Sequence, residues 1–140
     1  MDWAVDSNSS VSPSQQLVAA ALDAVGLGEL APGDRLPSVR VMAGLALVNP
    51  NTVTKSYREL ERMGITQGRN GSGVYVAESG PELARGLRRA ETAATLVEAV
   101  RFALRAGYEP AELEALVAAA LMEVEASTTG LAGDAEKEGR

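Results

Sequence analysis

Apolar residues recur at helical spacing in five stretches of the chain. In the first, Leu17, Ala20, Ala21, Ala24 and Val25 form a stripe behind Ser12-Pro13-Ser14-Gln15. Serine at the cap, proline at the first helical position and glutamine at the third make a capping-box start. Gly26 or Gly28 ends this helix, and Pro32-Gly33-Asp34 reads as a turn. In the second, Val39, Met42, Ala43 and Ala46 recur at i, i+3, i+4 and i+7 behind Ser38, an N-cap residue after an extended X-Pro pair. In the third, Val53, Tyr57 and Leu60 share one face, Asn49 caps, Pro50 takes the first position and Gly64 stops the helix.

The gap between a helix ending near Ala46 or Leu47 and one beginning at Asn49 is too tight for an ordinary helical hairpin but suits a helix-turn-helix. Behind it, Ile65-Thr66-Gln67 and Val74-Tyr75-Val76 are short β-favouring runs. The stretch between them, Gly68-Arg69-Asn70-Gly71-Ser72-Gly73, carries the Asn-Gly hairpin signal. A phosphate-binding loop of the Walker type would need Gly-Lys-Ser/Thr opening a helix, whereas a β run follows here. The pattern therefore predicts a mainly α fold with a small β wing: a winged helix-turn-helix.

Two longer stripes follow. Leu83, Leu87, Ala90, Ala94 and Val97, widened by Leu96, Val100, Ala103 and Leu104, predict one helix over 81–106, stopped by Gly107. Pro110 starts another, with Leu113, Leu116, Val117, Ala120, Leu121 and Val124 in helical register. The break at Glu78-Ser79-Gly80-Pro81 divides the chain into a winged helix-turn-helix domain (1–78), a short two-helix dimerisation region (79–126) and a polar, glycine-containing tail (127–140) expected to be disordered. Two amphipathic helices cannot bury both stripes against each other, so the surplus suggests a symmetric partner. The candidates for that contact are Leu96, Val100, Leu104, Leu113, Leu116, Val117 and Leu121. The competing arrangement packs the stripes back onto the winged domain. A helical pair of this size is not expected to enclose a ligand pocket of a few hundred Å³, and the effector, if any, is left unidentified.

In a helix-turn-helix the N-terminal end of the second helix enters the major groove. Asn51, Thr52 and Lys55 would then face DNA: asparagine suits adenine, threonine a base or thymine methyl, lysine guanine or phosphate. The same residues also suit a solvated polar helix face. Arg69 and Asn70, placed at a loop tip, could reach a phosphate or the minor groove, or form an ordinary exposed hairpin.

The net charge of −6 runs against DNA binding, but it is unevenly spread. Residues 28–77 hold six basic and four acidic residues, a balance of +2; residues 78–140 hold seven and twelve, a balance of −5. Screening limits reach to about 8 Å at physiological salt, so the local field matters more than the total. Cysteine and histidine are both absent, which removes disulfides, the commonest metal ligand and the commonest general base. No nucleophile motif is present, so neither an enzyme nor a cofactor is expected. No apolar run approaches a membrane span of about 20 residues. A cytoplasmic protein without membrane partners is the expectation.

Taken together, Gly28-x-Leu30-x-Pro32-Gly33-Asp34-Arg35-Leu36-Pro37-Ser38-x-Arg40, Asn49-Pro50-Asn51-Thr52-Val53, Leu60-Glu61-x-x-Gly64-Ile65 and Gly71-x-Gly73-x-Tyr75-Val76 resemble the GntR family of bacterial transcription regulators. The Asn-Pro-Asn-Thr form with a short helical tail resembles its YtrA-type subfamily. The resemblance implies a dimeric repressor at an inverted-repeat operator. It adds Ser38, Arg40, Asn49 and Gly71 to the DNA-binding candidates, beside Asn51 and Thr52. It also implies a short strand near the N-terminus, with Trp3 as a buried anchor near the wing; composition alone gives a frayed terminus there. Two positions depart from the pattern. Thr54 and Lys55 stand where many relatives carry basic residues or glutamine, and Ala46 where many carry leucine. The alternative function is a winged-helix protein-interaction module without specific DNA binding.

Overall fold

The computed structural model describes residues 1–135, and side-chain surroundings as far as Ser127. Five helices and one hairpin follow in the order α1 (Pro13–Gly26), α2 (Val39–Ala46), α3 (Pro50–Arg62), β1 (Thr66–Arg69), β2 (Gly73–Val76), α4 (Gly80–Arg105) and α5 (Pro110–Ala135). The chain forms two compact units, one from Met1 to Thr92 and one from Ala93 onward. Glu78 thus precedes the start of α4, while the edge of the compact unit lies further along that helix. A tail was expected from 127. Instead α5 continues to Ala135, and the Ser127 hydroxyl donates to the Glu123 carbonyl within it, so that serine is absorbed by the helix. Residues 136–140 lie outside the described residues.

The helices α1, α2 and α3 each start on the expected cap. The Ser12 side chain accepts from the Gln15 amide, Ser38 from Val41, and Asn49 from Asn51. Their ends are set by the left-handed backbone. After α3, Gly64 (φ +77°) donates to the Glu61 carbonyl and Ile65 to that of Leu60, a Schellman closure that seats Ile65 on Leu60 in the core. The turn between α2 and α3 uses the same device with a residue that resists it. Leu47 holds φ +54°, a conformation that favours glycine, while Val48 donates back to Ala43.

The core joins Leu17, Ala21, Leu22, Ala24 and Val25 of α1, Met42, Ala43 and Ala46 of α2, and Val53, Tyr57 and Leu60 of α3. Ala46 points inward as the spacing predicts; Leu45 and Leu47 are exposed. Trp3 is buried, but no strand forms around it. Trp3 lines a shallow pocket with Ala20, Asp23, Ala24 and Leu27 of the α1 end.

The hairpin pairs Thr66 with Val76 and Arg69 with Gly73, leaving Asn70-Gly71-Ser72 as its loop. Its strands run further toward the loop than the β-favouring residues alone predict. A third segment joins them: Leu36 donates to Val74, Gly33 to Val76, and Val76 to Asp34, with Arg35 bridged to Tyr75. The Pro32-Gly33-Asp34 turn therefore delivers residues 34–36 onto the sheet edge.

The start of α4 packs closely on this sheet. A methyl group on buried Gly80 would stand 2.7 Å from the Ile65 carbonyl oxygen, whereas Gly86, further along the helix, faces open space. Gly80→Ala is expected to destabilise the protein by about 1–3 kcal/mol. Gly86→Ala should stabilise it by about 1 kcal/mol through helix propensity. Thermal unfolding of the two variants measures both.

Candidate nucleic-acid interface

The inner side of α3 determines what its outer side offers. Val53 and Leu60 have no solvent exposure, and Ser56 and Tyr57 are buried beside them. The Ser56 hydroxyl lies 2.9 Å from the Thr52 carbonyl oxygen and 3.1 Å from that of Ser14, a contact that ties α3 to α1. The Tyr57 hydroxyl donates to the Pro37 carbonyl at 2.6 Å, fixing the residue before the α2 cap. With that side locked, Asn51, Lys55, Arg58 and Arg62 form an exposed row at i, i+4, i+7 and i+11.

The candidate residues divide into two groups. Ser38, Arg40, Asn49, Asn51 and Thr52 belong to the caps and first turns of α2 and α3, and Lys55 to the second turn of α3. Ser38 spends its hydroxyl on the cap, 3.3 Å from the Val41 amide, and Asn49 its carbonyl oxygen on the Asn51 amide at 2.8 Å. Asn49 keeps its NH₂ group for an outside acceptor. Arg40, Asn51 and Lys55 are exposed and Thr52 half-exposed. Thr54, one of the departures from the family pattern, turns its hydroxyl back to the Pro50 carbonyl at 3.1 Å.

The second group is the wing. Asn70 and Gly71 occupy the exposed loop, with Gly71 at φ +72°. Arg69 was expected at the tip but ends β1, with its guanidinium 4.3 Å from the centre of the Tyr75 ring. Strand pairing with Gly73 carries it off the tip.

Arg58 and Arg62 extend the α3 row beyond the candidate set, and the row is readable from the helical period. Arg62 is engaged by Glu59, 2.9 Å from Nε and 2.5 Å from Nη2. That hydrogen bond to Arg62 holds the Glu59 carboxyl below its ordinary pKa and raises that of the guanidinium.

In the second unit, Val100, Leu104, Leu113, Val117 and Leu121 line one open apolar groove of about 530 Å³. The volume exceeds what two helices were expected to offer, but the groove is open rather than enclosed. Leu96 and Leu116 are exposed and do not line it.

Comparison with known proteins agrees with this geometry. Residues 13–76 match the family described as bacterial regulatory proteins, gntR family. The HTH-type transcriptional repressor YtrA of Bacillus subtilis is 41% identical over 75 residues, covering 54% of this chain and 58% of that protein. An HTH-type transcriptional regulator of Mycobacterium tuberculosis is 40% identical over 81 residues, covering 57% of this chain and 67% of that one. The structure of YtrA from Sulfolobus acidocaldarius, a GntR-family transcription factor, superposes with a TM-score of 0.53 at 30% identity, covering 69% of this chain and 99% of that one. This chain belongs to the GntR family, YtrA type. A transcriptional regulator from Oenococcus oeni shares more of this GntR-family chain, with a TM-score of 0.68 at 25% identity over 84% of it and 98% of that chain. The match to the Bacillus YtrA spans little more than half of that relative's length. Among the described residues, no helix is long and apolar enough to cross a membrane.

Tyr57 gives the interface a test of its scaffold. Burial raises its phenol pKa above the ordinary value of 10.0. A raised folded pKa means that this stabilisation is complete below pH 10 and is lost as pH climbs through the folded value. Tyr57→Phe should cost about 1 kcal/mol at neutral pH by leaving the Pro37 carbonyl unpaired. It should also remove part of the alkaline fall in stability. Denaturant melts at neutral pH and above pH 10 check both.

Proposed function

We propose that this protein is a sequence-specific DNA-binding transcription regulator, a repressor acting as a homodimer on an inverted-repeat operator. The observation that carries the reading is the exposed row on α3, held by a fully buried opposite side and set beside a glycine-turned wing. The named function of the Bacillus relative supports repression. Asn51 and Thr52 read bases. Arg40, in the first turn of the helix that crosses the backbone, anchors phosphate, as do Lys55 and the loop residues Asn70 and Gly71. Ser38 and Asn49 hold the two helix starts in place. The deciding experiment selects binding sites from random duplexes with the full chain. Recovery of an inverted repeat is the expected result; a chain that folds but enriches no sequence belongs instead to the protein-interaction reading.

Asn51→Ala should change base preference at one operator position by about 1–3 kcal/mol. Arg40→Ala should weaken binding across sequences. Each neutralised phosphate contributes about 0.9 to the log–log salt slope, so a dimer carrying Arg40 twice should lose roughly 2. Titrations of one selected site and its single-base variants at several salt concentrations separate the two roles. Equal losses on specific and random DNA for Asn51→Ala would remove it from base reading.

The apolar groove of the second unit supports the dimer, since Leu104, Val117 and Leu121 remain exposed in a single chain. Val117→Glu should convert a dimer into a monomer by light scattering. A soluble wild-type monomer at micromolar concentration would overturn the assignment.

A further inference from the structure

The hairpin has a face that neither the recognition helix nor the loop tip uses. Thr66, Val76 and Leu36 point into the core. Side chains alternate along a strand and paired residues share a face. Gln67, Arg69, Gly73 and Tyr75, with Arg35 from the third segment, therefore stand on the opposite, outer face.

Three contacts organise that face. The Arg69 guanidinium lies 4.3 Å from the Tyr75 ring centre. The Tyr75 hydroxyl is 3.1 Å from that of Ser72 at the end of the loop, which holds the ring in place. Arg35 lies over Gly73: a methyl group there would stand 2.6 Å from its Nε and 3.2 Å from Cζ and Nη2. Gly73, at φ +130°, thus leaves the space that Arg35 fills. Arg69 thus stacks on Tyr75, while Arg35 covers Gly73, two residues before it on the same strand. Among the described residues, neither Arg35 nor Arg69 has a carboxylate partner.

We infer that the outer face of the wing is a second DNA-backbone contact, a phosphate platform built by Arg35 over Gly73 and Arg69 on Tyr75. The inference rests on the DNA-binding reading and adds to it a surface distinct from the α3 row. Arginine suits this task because its planar fork can hold a phosphate while stacking on a ring. Two like charges on one face without carboxylates repel, and an anion bound to that face relieves the repulsion. The platform contacts no base, so it contributes affinity and register without sequence preference.

The test is a salt titration of the full chain on two duplexes, a selected site and a random sequence, for wild type, Arg35→Gln, Arg35→Lys and Arg69→Gln. Thermal melts run alongside to report folding. Arg35→Gln and Arg69→Gln should each lower the log–log salt slope by about 0.9 per bound copy on both duplexes. Arg35→Lys should keep the slope. If Arg35→Gln does not fold, Arg69→Gln carries the test, because Arg69 is exposed at the strand end. Folded variants with unchanged slopes would overturn the platform while leaving the operator reading intact. A wild type that binds random DNA with a normal salt slope but selects no site would overturn the operator reading and leave the platform standing. No duplex binding at all would overturn both.

Discussion

Complete burial of one side of α3 is the constraint on which the rest of the winged unit depends. Val53 and Leu60 are fully enclosed, and Ile65, clamped to Leu60 by the Gly64 turn, is enclosed with them. Full burial of each aliphatic side chain contributes roughly 1.5–3 kcal/mol, so rotating the helix by one residue would forfeit several such terms. A helix with 3.6 residues per turn that cannot rotate on one side cannot rotate on the other. The row Asn51, Lys55, Arg58 and Arg62 is therefore fixed by residues that never meet a ligand. The same burial carries the sheet, because Ile65 is followed directly by β1 and its carbonyl receives the Ala77 amide after β2.

Most of this was legible because local and global signals agree. Three capped helix starts, a tight inter-helix gap and an Asn-Gly hairpin all specify the same winged fold. What escaped the sequence has specific reasons. The 34–36 segment has no apolar alternation and ends in Pro37, so nothing local marks it as a strand. It pairs only because the hairpin offers an edge. The place of Arg69 at the end of β1 is set in the same way, by register with Gly73 across the hairpin, which composition does not encode. The end of α5 was set too early because polar residues and two glycines resemble a tail, although no proline interrupts the helix. Ser56 is a polar residue among polar neighbours in sequence, yet its hydroxyl bonds to the Ser14 and Thr52 carbonyls and sits in the core.

The site residues were legible in identity more than in geometry. Helical period located the α3 row, and family resemblance supplied Arg40 and Gly71. Cap chemistry marks Ser38 and Asn49 as helix starts, and their bonds to the Val41 and Asn51 amides leave them positioning those starts more than meeting a partner freely.

The winged segment has a balance of only +2, and one of its arginines is held by Glu59 on the same helix. Exposed pairs at this spacing are weak and screened by salt, so Glu59 restrains Arg62 without removing it. A head with so small a surplus gains little from diffuse attraction to DNA. Under the proposed operator reading, discrimination comes from the placement of a few side chains. That is the circumstance in which a rigid scaffold matters most: the buried face of α3, the Tyr57–Pro37 bond and the three-segment sheet each fix a polar group whose charge alone would not locate it. The acidic remainder, −5 beyond residue 77, supplies no attraction to phosphate of its own.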